Sequence, residues 1–277
     1  MSGPQDVRYV LGHAPQELAR LERQAALFAQ PTRMLLEQCG IGEGQTVLDV
    51  GCGAGDVTLL VADVVGPAGH VIAVDRAPEA VATARARAAG LGLGHVTVVE
   101  STIDALDIPA VDAVIGRFVL MHQAAPADVL ARAARLVRPG GVVAMMESHL
   151  DALVREWHSW PVSTAYASVL DVMLRTIAAA GGRTDMGLRL RGTFLEAGLP
   201  DPVLLVHGTL TGSDAPRMCH YMADSLRSMA GMAERLGVDT LSASRIDALE
   251  HAMLDDAARP GAVMNGPVVV TAWCRTP

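Results

Sequence analysis

The run Val47-Leu48-Asp49-Val50-Gly51-Cys52-Gly53-Ala54-Gly55 constrains the fold more than any other stretch of this chain. An apolar strand enters a turn with glycine at every second position. Glycine permits positive φ there and lets a ligand come close to the backbone, while the helix that follows offers its first N–H groups. Asp75 closes the next apolar run, about 20 residues beyond Gly55. A carboxylate at the end of that second strand is placed to accept the two hydroxyls of a ribose. Strand, glycine turn, helix and strand-end acid together predict a nucleoside site.

Spacing separates the nucleosides. Dinucleotide folds favour GxGxxG, whose third glycine makes room for the helix beside the pyrophosphate. This chain has GxGxG followed by Asp56, which puts negative charge where a pyrophosphate would sit. Asp49, ahead of the turn, is placed to attract a cationic amino or sulfonium group.

Apolar runs alternate with helical patterns along most of the chain, which predicts repeated βα units and a mostly parallel sheet. Strands are predicted over 46–50, 70–74, 95–99, 113–115, 141–146, 203–210 and 268–274. Helices are predicted over 15–29, 56–65, 78–89, 126–136, 151–180, 186–197, 215–236 and 242–258. Arg138-Pro139-Gly140-Gly141 reads as a tight turn before the fifth strand. No linker interrupts the pattern, so a single domain over 1–277 is expected. Its core would span about 32–150 and 186–277, and its lid helices about 5–30, 151–186 and 212–260. Leu18, Leu21, Ala25 and Phe28 share one face of the first helix, suited to packing over the site or against a second copy in a homodimer.

Composition removes several classes. The formal net charge is −8 and no basic run is present, which argues against a nucleic-acid partner. All 22 basic residues are arginine, so a Schiff-base lysine, a pyridoxal phosphate anchor and a P-loop lysine are excluded. The four cysteines lie far apart with no CxxC, and neither a disulfide framework nor a metal site is expected. No signal-like N-terminal stretch and no bilayer-length apolar run occur, so a soluble cytoplasmic protein without a membrane partner is expected.

VLDVGCGAG, VIAVDRAPEAV and the Arg138-Pro139-Gly140-Gly141 turn resemble the class I S-adenosylmethionine (SAM)-dependent methyltransferases, closely over 46–147. The flanks are similar to bacterial stand-alone small-molecule methyltransferases, with a Tyr9 segment and an Arg20-Leu21-Glu22-Arg23-Gln24 helix. The resemblance implies an α/β fold: a Rossmann-like, mostly parallel seven-stranded sheet with an antiparallel last strand and a helical lid. It implies SAM as cofactor and S-adenosylhomocysteine as product. Gly51, Gly53 and Gly55 would line the methionine portion, Asp49 would approach the amino group directly or through water, and Asp75 would hold the ribose. Arg76 would flank the adenine. Thr102 stands where the family often has an acid, so Thr102 and the Ile103 backbone would contact the adenine. Arg117 would face the cofactor cleft.

Methyl transfer is an in-line displacement at a carbon already activated, so alignment and water exclusion are the protein's main tasks. A strong catalytic motif is neither required nor present. His122 and Glu147 sit at the ends of the fourth and fifth strands, where a general base would stand. The plainer readings are a helix-start residue packed against the cofactor and an acceptor for a neighbouring N–H. Trp157 and Trp160 suggest a π-rich substrate wall that Tyr166 would join and Tyr9 would close, against ordinary core packing. Met218, Met222, Met229 and Met232 follow helical spacing and read as core or as an adaptable pocket lining. The expected reaction is methylation of an O, N or C nucleophile on a small metabolite of natural-product biosynthesis, an aromatic and indole-like acceptor being one of several options. Two alternatives are an NAD(P)-dependent oxidoreductase and a SAM-binding protein without methyl transfer.

Overall fold

The computed structural model describes residues 15–153 and 158–277. A long helix, α1 (Pro15–Cys39), leads into β1 (Thr46–Val50), α2 (Asp56–Val65), β2 (His70–Asp75), α3 (Pro78–Gly90) and β3 (Val96–Glu100). The second half of the core is β4 (Val111–Arg117), α4 (Pro126–Arg135) and β5 (Val137–Ser148). Then follow β6 (Ser159–Trp160), α5 (Thr164–Ala179), α6 (Met186–Glu196), β7 (Val203–His207) and β8 (Leu210–Thr211). The chain closes with α7 (Ala215–Arg235), α8 (Ala243–Ala257), β9 (Val263–Asn265) and β10 (Val269–Arg275).

Seven strands form one sheet in the order β3-β2-β1-β4-β5-β10-β7. The pairs from β3 to β5 are parallel, and β10 runs antiparallel to both β5 and β7. Central strands covered on both faces need apolar side chains at every position rather than at alternate ones. Val47, Leu48, Val114, Ile115, Val143 and Ala144 meet that need and are fully buried. β1 lies between β2 and β4, so the crossovers diverge there and a crevice opens beyond the carboxyl ends of the strands.

Four local expectations are corrected. Residues 138–141 form an irregular opening of β5 rather than a turn before it. The pairing jumps from Val111↔Val137 to Ala113↔Val142, so the extra residues bulge out of the ladder. The strand expected over 203–210 divides after His207: β7 stays at the large sheet's edge, and β8 joins a separate sheet, β6-β9-β8. Helix α1 continues past the expected end near residue 29 and carries Pro31 inside it. Proline removes one helical N–H, and the neighbouring Thr32 hydroxyl donates to the Phe28 carbonyl at 2.6 Å. The stretch expected to be helical over 151–180 holds a 3-10 turn and β6 before α5 begins.

Above the crevice, α1 and α5 both pack on α7, and α8 packs on α5 and α7. Arg23 of α1 pairs with Asp224 of α7. Arg227 of α7 reaches α8 through Asp247, at 2.7 Å, and through Glu250. No helix among the described residues is long and apolar enough to cross a membrane.

Candidate functional site

A cavity of about 1080 Å³ occupies the crevice, between the carboxyl ends of the parallel strands and the helices above them. Its floor is the glycine turn, where Gly51, Gly53 and Gly55 have φ of 65°, 53° and 89°. Gly51 and Gly53 line the cavity. A Cβ on Gly51 would lie 2.8 Å from Val119 Cγ2, whereas one on Gly53 meets no protein atom within 4 Å. Gly55 does not line the cavity. It caps α2, and a Cβ there would press on Ala84 of α3 at 3.2 Å. Its absent side chain serves close packing of the turn on α3, a correction to the expected ligand contact.

Asp75 locks this turn. One carboxylate oxygen accepts the Gly53 N–H and the other the Ala77 N–H, both at 2.9 Å. A carboxylate has about four lone-pair positions, so two remain for a ligand on the cavity side. Arg76, Thr102 and Ile103 line the same end. Asp49 is 1% exposed and lies off the cavity wall, which of the two expected approaches, direct or through water, favours the indirect one. It accepts the Thr58 hydroxyl at 2.6 Å, and burial pushes its carboxyl up to about 7. Arg117 lines the cavity, donates to the Thr32 hydroxyl at 3.3 Å and lies 3.7 Å from the Asp56 carboxylate. Burial holds its guanidinium below the usual arginine range. Asp56 is also held by Arg87 at 2.6 Å.

His122 ends a 3-10 turn over Leu120–His122 and lines the cavity. Burial, with the nearby positive Arg76, pushes it down to about 4, so its ring is neutral near pH 7. Glu147 is fully buried and does not reach the cavity. Its carboxylate accepts the N–H groups of Val119 (2.9 Å), Leu120 (2.7 Å) and Met121 (3.2 Å). Off the cavity wall and engaged by three N–H groups, it takes the plainer of its two expected readings, an acceptor that anchors this turn, rather than that of a base. Burial pushes its carboxyl up to about 8 against the pull of those three N–H groups.

Two expected wall residues stand elsewhere. Trp160 is 70% exposed on β6 and does not line the cavity. Tyr166 is fully buried in the core, with its hydroxyl donating to the Asn265 carbonyl at 2.6 Å and its ring stacked on His158 at 5.7 Å. Tyr9 and Trp157 lie outside the described residues. The cavity's upper wall is instead Phe28 of α1, Leu170, Met173 and Ile177 of α5, and Met222 and Met229 of α7. Their 3.6-residue spacing is visible in the sequence, but a core stripe has the same spacing. Phe118 and Tyr221 complete an aromatic run with Phe28, at 5.0 Å and 6.4 Å between ring centroids. Buried Arg20 also lines the cavity and donates to Gln24 at 2.6 Å.

The residues present suit SAM. An open glycine floor, a strand-end carboxylate with spare acceptor capacity and Thr102 beyond it match a nucleoside. Asp75, its charge uncompensated by any arginine ion pair among the described residues, raises the cost of placing a pyrophosphate beside the turn. Residues 41–188 match a family described as methyltransferase domain. An uncharacterised 37.1 kDa protein of transposon Tn4556 from Streptomyces fradiae is 31% identical over 69% of this chain and 54% of its own length. Nocamycin O-methyltransferase of Saccharothrix syringae is 34% identical, covering 55% of each. The chain spans about half the length of the curated relatives it matches. The crystal structure of YcgJ from Bacillus subtilis shares the fold at a TM-score of 0.57, with 14% identity over 90% of this chain and 98% of that one.

Proposed function

The chain belongs to the SAM-dependent methyltransferase family, and on that premise we propose that it methylates an O, N or C nucleophile of a small, largely apolar acceptor. The observation that carries this reading is the two-ended cavity. Glycine backbone and carboxylates form one end, and methionine, leucine, isoleucine and aromatic side chains form the other. SAM, when bound, supplies a methyl carbon already activated by the sulfonium.

The chain's residues then have positioning tasks. Asp75 holds the ribose hydroxyls and, through Gly53, the shape of the turn. Thr102 and Ile103 face the adenine, with Arg76 beside it. Asp49 and Arg117 set the charge beneath and beside the methionine portion, and Gly53, whose missing side chain would point into open space, leaves room for it. His122, neutral at pH 7 but a weak base for the same reason, would take a proton only from an acceptor that is itself acidic. The apolar end excludes water and aligns the acceptor, and such alignment is worth roughly 7–11 kcal/mol in favourable cases. The aromatic run favours a flat acceptor such as an indole or a phenol, and similarity to a methyltransferase of nocamycin supports a natural-product substrate.

Incubation with methyl-labelled SAM and a panel of phenols, indoles and amines tests this reading. Transfer of label to one compound class is expected. SAM binding with no transfer to any compound would favour a non-methylating SAM-binding protein, and saturable NADH binding without SAM binding would overturn the reading.

A further inference from the structure

Phe118 has φ of 58°, the one non-glycine residue at positive φ among the described residues. For a bulky side chain that conformation is strained and persists only where its surroundings enforce it. The enforcement is visible on both sides. The Phe118 N–H donates to the Met146 carbonyl at 2.8 Å. The next three N–H groups all converge on the Glu147 carboxylate. Met146 and Glu147 are consecutive residues of β5, the parallel neighbour of β4. One strand end therefore grips four successive N–H groups of the segment leaving the other.

The gripped segment carries a disproportionate share of the site. Phe118 puts its ring edge-on to Phe28 of α1, with the Arg117 guanidinium 5.9 Å from its centroid. Val119 fills the space beside Gly51, at the floor of the cofactor end. Met121 and His122 line the cavity wall. A glycine at this position would take the same backbone shape without strain. Phenylalanine there trades backbone comfort for a ring in the cavity wall.

We propose that Glu147 is a positioning residue that holds Phe118 in its left-handed conformation, and that the Phe118 ring so placed determines which acceptor fits. This rests on the methyltransferase reading for what the ring selects, but the holding itself does not. If Glu147 restrains a strained residue, losing the restraint lets Phe118 relax and returns part of the lost stability, whereas a glycine there has no strain to return. The E147Q substitution leaves one oxygen to accept and turns an amide donor toward the remaining N–H.

Thermal unfolding of wild type, E147Q, F118G and E147Q/F118G, without ligand, reads the coupling directly. The loss caused by E147Q is expected to be larger in the F118G background than in the wild-type one, by about 2–4 °C. Equal losses in both backgrounds would overturn the positioning role. Should E147Q fail to fold, F118G against F118A decides. Both lack the ring, so the glycine variant is expected to melt about 2–4 °C higher, and the reverse order would overturn the strain on which the inference rests. S-adenosylhomocysteine titration of the same proteins gives a second readout, in which E147Q is expected to weaken binding more with Phe118 present. Binding of indole, as the acceptor probe, is expected to weaken about two- to tenfold in F118G, and unchanged binding would overturn the selective role of the ring. Failure of the wild-type chain to bind S-adenosylhomocysteine would sink the methyltransferase reading and leave the unfolding comparison valid.

Discussion

Asp75 does two things with one carboxylate: it faces the ribose end of the cavity and it fixes the glycine turn. Its place at the strand end announces a ribose partner. Its bonds to the Gly53 and Ala77 N–H groups, which fix the turn itself, come from the fold. Hydrogen bonds to a charged group contribute about 1.5–3 kcal/mol each, so Asp75→Ala is expected to weaken S-adenosylhomocysteine binding at least tenfold. Calorimetric titration showing unchanged affinity would remove the ribose assignment. His122 is a second case in which environment overrides residue type. Its folded pKa is depressed to about 4 by burial and Arg76, so the ring stays neutral from about pH 5 upward. The pH profile of kcat/KM is therefore expected to show no acidic limb near 6.5. If His122 takes the acceptor's proton, His122→Ala should lower kcat by about 10²-fold with little change in cofactor affinity. A limb at 6.5, or full turnover in the variant, would contradict these roles.

Among the elements, β1, the glycine turn and α2 were readable because every cue lies within about ten residues: an apolar run, glycines at positive φ and an acid opening the helix. Gly55 shows where such local reading stops. Its sequence context says ligand, but the residue that needs it small is Ala84 on α3, which no local pattern identifies. Gly55→Ala is expected to cost about 1–3 kcal/mol of stability, from left-handed strain and the contact with Ala84, seen as a lower denaturant midpoint. A midpoint equal to wild type would mean the turn is free to relax. The α5 part of the lid was legible as a helix but not as a site, whereas the α7 stripe, read as core or pocket lining, does line the cavity through Met222 and Met229. Leu170, Met173 and Ile177 repeat at the spacing of any buried stripe, and only the packing of α5 and α1 on α7 reveals that this stripe faces a cavity. Trp160 misled for the complementary reason. Two tryptophans close together imply an apolar environment only if their backbone turns inward, and β6 turns Trp160 out.

At the scale of the whole molecule, the switch point that opens the cavity also buries ionisable groups, and that joins stability to pH. Burial raises Asp49 from 3.8 to about 7 and Glu147 from 4.5 to about 8. Groups with raised folded pKa values favour the native state most below their unfolded values, and that contribution is lost as pH rises through the folded ones. His122 acts oppositely: its depressed pKa makes a contribution that is present above 6.5 and lost as pH falls toward 4. Between pH 5 and 8 the two carboxyls span more pKa units than the histidine, so they decide the sign. Unliganded stability is expected to fall across this range, by an amount on the order of 3 kcal/mol. Denaturant midpoints at pH 5, 6.5 and 8 measure it. Asp49→Asn, which keeps an oxygen for the Thr58 hydroxyl, should flatten the slope between pH 5 and 7. A ligand bringing a positive ammonium near Asp49 favours its ionised form, so binding of S-adenosylhomocysteine near pH 7 should release protons. Calorimetry in two buffers of different ionisation enthalpy counts them, and the release should vanish in Asp49→Asn. A pH-independent midpoint together with proton-silent binding would mean that Asp49 is ionised throughout, and that the charge under the glycine turn is fixed before the cofactor arrives.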